Sequence, residues 1–143
     1  MTPTDITSNI IEKTEKKLSS KGGKVARVIP ADSILCTCIA SIGKNAIIRD
    51  KSAFNQQINS LTPNKDNDPY FLLTESYHWS EFMKRQGGGL TFQIVNKQEF
   101  SNIETNVPIL DEQIEIGYLF KCLDKTIVLH HRKPLTTPPS TSA

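Results

Sequence analysis

Ser33-Ile-Leu-Cys-Thr-Cys-Ile39 is the most strand-like run in the chain. Its β-prone residues are almost continuously apolar, the pattern of a strand covered on both faces. Turn signals bracket it, Pro30-Ala-Asp32 before and Ser41-Ile-Gly-Lys-Asn45 after. Ala46-Ile-Ile48 and Gln57-Ile-Asn-Ser-Leu61 supply two further strands, the second with alternating apolar positions. Cys36 and Cys38 alternate within the run and share one face. They read as small core residues, because no second ligand pair stands at metal spacing.

Downstream the period changes. Thr62-Pro-Asn-Lys-Asp-Asn-Asp-Pro69 is a loop by composition, with Asp68 placed to cap a helix and Pro69 at its first position. The predicted helix covers 69–86, with Leu72, Leu73, Ser76, Trp79, Phe82 and Met83 as its inner stripe. Gly87-Gly-Gly89 ends it. Residues 90–95 form a short strand or loop, and Asn96 with Glu99 makes a capping box for a further helical turn. Residues 103–107 are extended up to Pro108. Beyond that, Ile116, Phe120, Leu123, Ile127 and His130 follow a 4-3-4-3 spacing, the seam of a coiled-coil-like helix. Asp111 and Glu112 in its first turn, and His130, His131, Arg132 and Lys133 in its last, suit the helix dipole.

Upstream, residues 4–23 mix polar and apolar positions. Glu12-Lys-Thr-Glu-Lys-Lys17 reads as a solvated face or loop, and Gly22-Gly23 as a break. The expected fold class is α/β of the α+β type: a mixed, partly barrel-like small sheet with short helices, then one long C-terminal helix. Three segments follow: a domain over 1–108, a helix over 109–133, and a Pro/Ser/Thr-rich tail over 134–143 expected to be disordered.

The 143 residues suit one domain, and 37% hydrophobic with 22% charged residues suits a packed core. A net charge of +2 gives no overall polybasic field, so any nucleic-acid surface must come from local clustering. No apolar run is long enough to span a membrane. The start, Met1-Thr-Pro-Thr-Asp5, carries neither a basic n-region nor an apolar h-region, and three cysteines fit a reducing compartment. The expected location is therefore cytoplasmic.

Enzyme motifs are not legible. Gly43-Lys44 lacks the upstream glycine and the following hydroxyl of a phosphate loop. Asn67-Asp-Pro-Tyr70 has one proline where the adenine-methyltransferase signature has two, and no methyl-donor loop precedes it. His78, His130 and His131 stand in no nucleophile or metal arrangement. No catalytic residue, cofactor or metal is assigned. What remains is basic and polar material in loops: Lys44, Asn45, Arg49 and Lys51 around one turn; Asn55 and Gln56 before a strand; Lys84, Arg85 and Gln86 closing the first long helix; and Thr91, Gln93, Asn96 and Lys97 after the glycines. These residue types reach phosphates and base edges in DNA grooves. On composition alone, ordinary solvated loops are the better account of them.

A family resemblance shifts that balance. The run from Ile29-Pro-Ala-Asp-Ser-Ile-Leu-Cys-Thr-Cys-Ile-Ala-Ser-Ile-Gly-Lys-Asn-Ala-Ile-Ile48, with Phe54-Asn-Gln-Gln-Ile-Asn59, resembles the central signature of target recognition domains in Type I restriction-modification specificity subunits. Gly88-Gly-Leu-Thr-Phe92 and Val107-Pro-Ile-Leu-Asp-Glu-Gln113 resemble the closing segment. Ile116-Gly-Tyr-Leu-Phe-Lys-Cys-Leu-Asp-Lys-Thr-Ile127 resembles the start of the conserved spacer helix. The ordered matches cover about residues 3–133. The resemblance implies sequence-specific binding of double-stranded DNA without chemistry of its own. It implies docking to modification (methyltransferase) and restriction subunits, and pairing with a second specificity half-subunit. Ile116, Phe120, Leu123 and Ile127 become the face for a partner helix. Relative to the family, the first strands fall before Met1 and the helix stops at Pro134, so the chain is expected to be truncated at both ends. The competing expectation is a degenerate fragment that acts only through its helix as a protein-interaction module.

Overall fold

The computed structural model describes residues 1–14, 17–86 and 94–132. The tail over 134–143 and the Gly87-Gly-Gly89 stop lie outside them. After a 3-10 turn at Pro3–Asp5 come β1 (Ile10–Ile11), α1 (Ser20–Val25), β2 (Val28–Ile29), β3 (Ile34–Thr37), β4 (Asn45–Ile48), β5 (Ser52–Ala53) and β6 (Ile58–Leu61). Then follow α2 (Pro69–Gln86), α3 (Lys97–Ser101) and α4 (Leu110–Arg132). The expected α+β class, with a small sheet, short helices and a long C-terminal helix, is what is observed. The sheet stays open among the described residues.

β3 is the centre of the sheet. It pairs antiparallel with β4, Leu35 opposite Ala46, and antiparallel with β6, Leu35 opposite Ser60. β1 adds to the far side of β4 in parallel, giving the order β1-β4-β3-β6. Every residue of β3 and β4 is buried. Alternate side chains explain why. Ile34, Cys36 and Ile47 pack under Tyr70, Phe71, Leu73 and Trp79 of α2. Leu35, Ala46 and Ile48 turn the other way, onto Ile6, Ile11, Ile29 and Ile58. Burial pushes the Cys36 thiol up to about 12, so it stays a neutral core group; burial raises Cys38 as well.

The local signals act as their chemistry requires. Asp68 Oδ1 accepts the Phe71 N–H at 2.8 Å and so caps α2, and Asn96 and Glu99 form the capping box of α3. Two expectations need correction. Gly22 and Gly23 do not break the chain but sit inside α1, where Ser19 caps the turn by accepting the Gly22 N–H. Phe82 faces solvent, and its place under α2 is taken by the buried hydroxyls of Ser76 and Ser80. β2 and β5 form a separate two-stranded pair that the apolar pattern did not announce.

α4 crosses α2 through a tight contact. A Cβ on Gly117 would overlap the Asp68 carboxylate and stand 2.9 Å from the Phe71 nitrogen. Gly117→Ala is expected to destabilise the protein by about 1–3 kcal/mol through forced separation of the helices. Gly23→Ala, at a position with open space around it, is expected to be neutral or to stabilise by up to about 1 kcal/mol. Urea melts of the two variants test this, and equal midpoints would mean that the helix crossing is not close-packed.

Candidate nucleic-acid interface

One end of the sheet collects several connections. β3 runs into the turn over 38–44, which carries Ala40 at φ 58° and Gly43 at φ 109°. The second value suits glycine, which has no Cβ to clash. Thr37 pins the turn: its Oγ1 donates to the Ser41 carbonyl and accepts the Lys44 N–H at 3.1 Å. The Cys38 N–H donates to the Gln57 carbonyl at 3.0 Å, and the Val95 N–H to the Cys38 carbonyl at 2.9 Å. Asn59 Nδ2 donates to the Val95 carbonyl at 3.2 Å. Cys38, Ile42, Met83 and Val95 form a small apolar cluster beneath. The end of α2 thereby meets the same turn, and the Lys84 ammonium lies beside Gly43.

This end gathers Lys44, Gln56, Lys84, Arg85 and Lys97, all exposed, into one basic region. Lys84 pairs with Glu81 at 2.8 Å and holds that carboxyl below its usual range. The pair is exposed, so it is worth little to stability and offsets part of the local charge. Asn55 and Asn96 spend their side-chain oxygens locally, on the Gln57 N–H at 3.0 Å and the Glu99 N–H at 2.9 Å. Thr91, Gln93 and the side chain of Gln86 lie outside the described residues.

Two expectations change. Asn45 is buried at 3% exposure, where its Nδ2 donates to the Ser76 carbonyl and the Ser80 hydroxyl, each at 2.9 Å. It is a strut between β4 and α2 and leaves the set of surface residues. Lys44 and Arg49 do not share a turn: β4 separates them by about 16 Å, five residues of strand. Arg49 instead forms an ion pair with Asp32, at the end of β4 where Lys51 also lies. The Glu81–Lys84 pair was legible as an i,i+3 spacing; the Asp32–Arg49 pair depends on tertiary pairing alone.

On α4 the seam residues divide. Ile116 packs against the core, while Phe120, Leu123 and Ile127 are exposed, Leu123 at 47% and Ile127 at 53%. The inward face is more polar than the spacing implied. Gln113 is buried, and the Asp124 carboxylate accepts from Asn9 Nδ2 at 2.7 Å and from the Tyr70 hydroxyl at 2.5 Å. Burial and then Asp124 raise the Tyr70 pKa, which keeps that hydroxyl a donor. Among the described residues no group of three or more His, Cys, Asp or Glu could hold a metal ion, and no helix is long and apolar enough to cross a membrane.

The model of the Type I restriction modification DNA specificity domain family matches residues 2–136. The chain belongs to this family. It is 32% identical over 116 residues to the Type I restriction enzyme HindI specificity subunit of Haemophilus influenzae, covering 78% of this chain and 24% of that subunit. It is 30% identical over 122 residues to the MjaIX specificity subunit of Methanocaldococcus jannaschii, covering 83% of this chain and 27% of that one. The chain thus spans about a quarter of the length of these curated relatives. The fold is similar to the HsdS subunit from Thermoanaerobacter tengcongensis, with a TM-score of 0.60 at 17% identity over 76% of this chain and 26% of that one. A chain from a structure concerned with assembly and conformational transition of the Type I system gives the same TM-score and identity over 74% of this chain and 26% of that one.

The structural role of Asn45 in this specificity domain is open to a direct check. Asn45→Ala is expected to cost about 1–3 kcal/mol, as two buried hydrogen bonds are lost. Chemical denaturation reads the loss, and a variant as stable as the parent would return Asn45 to the surface set.

Proposed function

We propose that this specificity domain is a sequence-reading module of a Type I restriction-modification system: it recognises one part of a DNA target and leaves methylation and cleavage to partner subunits. The observation that carries the reading is the family match over residues 2–136. The basic end of the sheet is the reading surface. Lys44, Arg85 and Lys97 contact phosphates, with Lys84 contributing less because Glu81 offsets it. Gln56 approaches base edges, where a good bidentate contact is worth about 1–3 kcal/mol of discrimination. The partners are double-stranded DNA, the modification and restriction subunits, and a second specificity half.

A second reading has its own support. The exposed apolar residues of α4, Leu119, Leu123, Ile127 and Val128 among them, suit a protein-interaction module that needs no DNA. Both readings use α4 as a docking helix; they differ on DNA.

Mapping adenine methylation across the host genome with and without this gene separates them. A motif methylated only when the gene is present is the expected result, and an unchanged methylation map overturns the DNA reading. In purified form, Lys44→Ala, Arg85→Ala and Lys97→Ala together are expected to flatten the dependence of log affinity on log salt by about three units, about one per cation. Leu123→Asp with Ile127→Asp is expected to abolish any self-association in sedimentation, because two charges would enter an apolar seam. Association at parental strength would place the contact away from α4.

A further inference from the structure

Residues 17–27 carry four cations, Lys17, Lys21, Lys24 and Arg27, and no acid. That is a charge of +4 in a chain whose net charge is +2. All four side chains are exposed, and among the described residues no ion pair engages them. The segment adds almost nothing to the core: Leu18 is 56% and Val25 87% exposed. It leaves the four-stranded sheet after β1 and leads into β2 of the separate β2-β5 pair, whose register sets Ile29 opposite Ser52. Lys51 therefore stands opposite Pro30, beside the base of the arm. Lys21 and Lys24 are three apart on α1 and share a face. The two central glycines make this single turn inexpensive to reshape, since helix-interior glycine costs roughly 0.5–1 kcal/mol relative to alanine.

We propose that residues 17–27, with Lys51 at their base, form a basic arm that grips the phosphate backbone of duplex DNA without reading its sequence. The inference rests on the DNA-recognition reading and adds a second contact to it, at the opposite end of β4 from Lys44. A solvated lysine-rich face ordinarily interleaves acids, as Glu12 and Glu15 do just before this segment; within 17–27 there is none, and a local field of one sign attracts a polyanion. Duplex DNA presents one phosphate per 3.4 Å of axis on each strand, about the density needed to engage a row of cations on one helical turn and its flanks. An anionic lipid surface would also take the charge. The arm, however, exposes only two large apolar side chains, Leu18 before α1 and Val25 at its end, too few to bury a continuous face in a bilayer.

The test compares the full chain with Lys21→Ala, Lys24→Ala and Arg27→Ala combined, on a duplex containing the target and on one lacking it, across a salt series. Thermal melts establish that the exposed substitutions leave the fold intact. The expected result is a slope flattened by about 0.9 per lost phosphate contact, close to three units, and equal weakening on both duplexes. An unchanged slope overturns the arm while leaving the reading surface standing, provided the target preference persists. Loss confined to the target duplex overturns it too, because the arm would then be reading sequence. Salt-dependent binding without target preference in the parent, lost in the variant, keeps the arm and removes the reading surface. If the variant keeps its DNA slope but no longer binds vesicles containing phosphatidylserine, the arm is a lipid contact and the proposal fails. Absence of any duplex binding by the parent at low salt overturns both.

Discussion

The direction of α4 depends on one buried glutamine. Gln113 is 1% exposed, and its side chain satisfies both ends. Oε1 accepts the Asp68 N–H at 3.1 Å, and Nε2 donates to the Pro108 carbonyl at 2.8 Å, with a longer contact of 3.4 Å to the Asp66 carbonyl. One side chain thus ties the loop that starts α2 to the loop that starts α4. A buried amide without such partners would cost several kcal/mol, so the arrangement holds only when both loops are in place. Gly117, one turn on, lets the helices close over the Asp68 cap. Asp124, two turns further, receives Asn9 and Tyr70, and the Tyr77 hydroxyl donates to Asn9 Oδ1 at 2.6 Å. From Gln113 to Asp124 the helix is held over about 16 Å. Beyond Asp124 its apolar residues are exposed.

That polar inner face leaves most of the hydrophobic seam unused by the domain. The 4-3-4-3 spacing of Ile116, Phe120, Leu123 and Ile127 is real, but the domain is gripped chiefly through Gln113, Gly117 and Asp124, which carry no hydrophobic signal. The hydrophobic stripe lies beside the gripping face, and of its residues Ile116 packs against the core. The same physics made other elements readable. β3 was legible because both its faces are buried, so every residue is apolar or small. α2 was legible because its cap, its proline and its inner stripe agree. β1, β2 and β5 were not, since two residues have no period and their pairing is set by neighbours distant in sequence. Asn45 looked like a surface residue because it flanks a glycine-lysine turn. Only the tertiary approach of Ser76 and Ser80 reveals it as a strut, and its Oδ1 has no partner among the described residues.

The charge pattern was less legible than the fold. Loop cations that are close in sequence, Lys44 and Arg49, are placed at opposite ends of a strand, whereas Lys44 and Lys84, forty residues apart, become neighbours across Gly43. Composition reports the sum of +2 and conceals the distribution. The acid that offsets Arg49 comes from elsewhere in the chain, Asp32, whereas Glu81 offsets Lys84 from one turn back on the same helix.

Separation along β4 has an energetic consequence. At physiological salt the screening length is about 8 Å, roughly half the span of about 16 Å between Lys44 and Arg49. Exposed charges at the two ends therefore interact weakly with each other, and each group meets an anion on its own terms. The strand between them is fully buried and paired on both sides, so the spacing is fixed by the core and not by the loops. Around the Lys44 end, hydrogen bonds from Thr37, Cys38, Asn59 and Val95 hold the backbone, which suits contacts that must keep a fixed geometry. The arm over 17–27, built on paired glycines with open space at Gly23, suits contacts that need charge but tolerate variation in position. On the proposed reading, the arm adds affinity without sequence preference at one end of β4, while discrimination, with phosphate contacts of its own, belongs to the other, and a substitution in one group need not disturb the other.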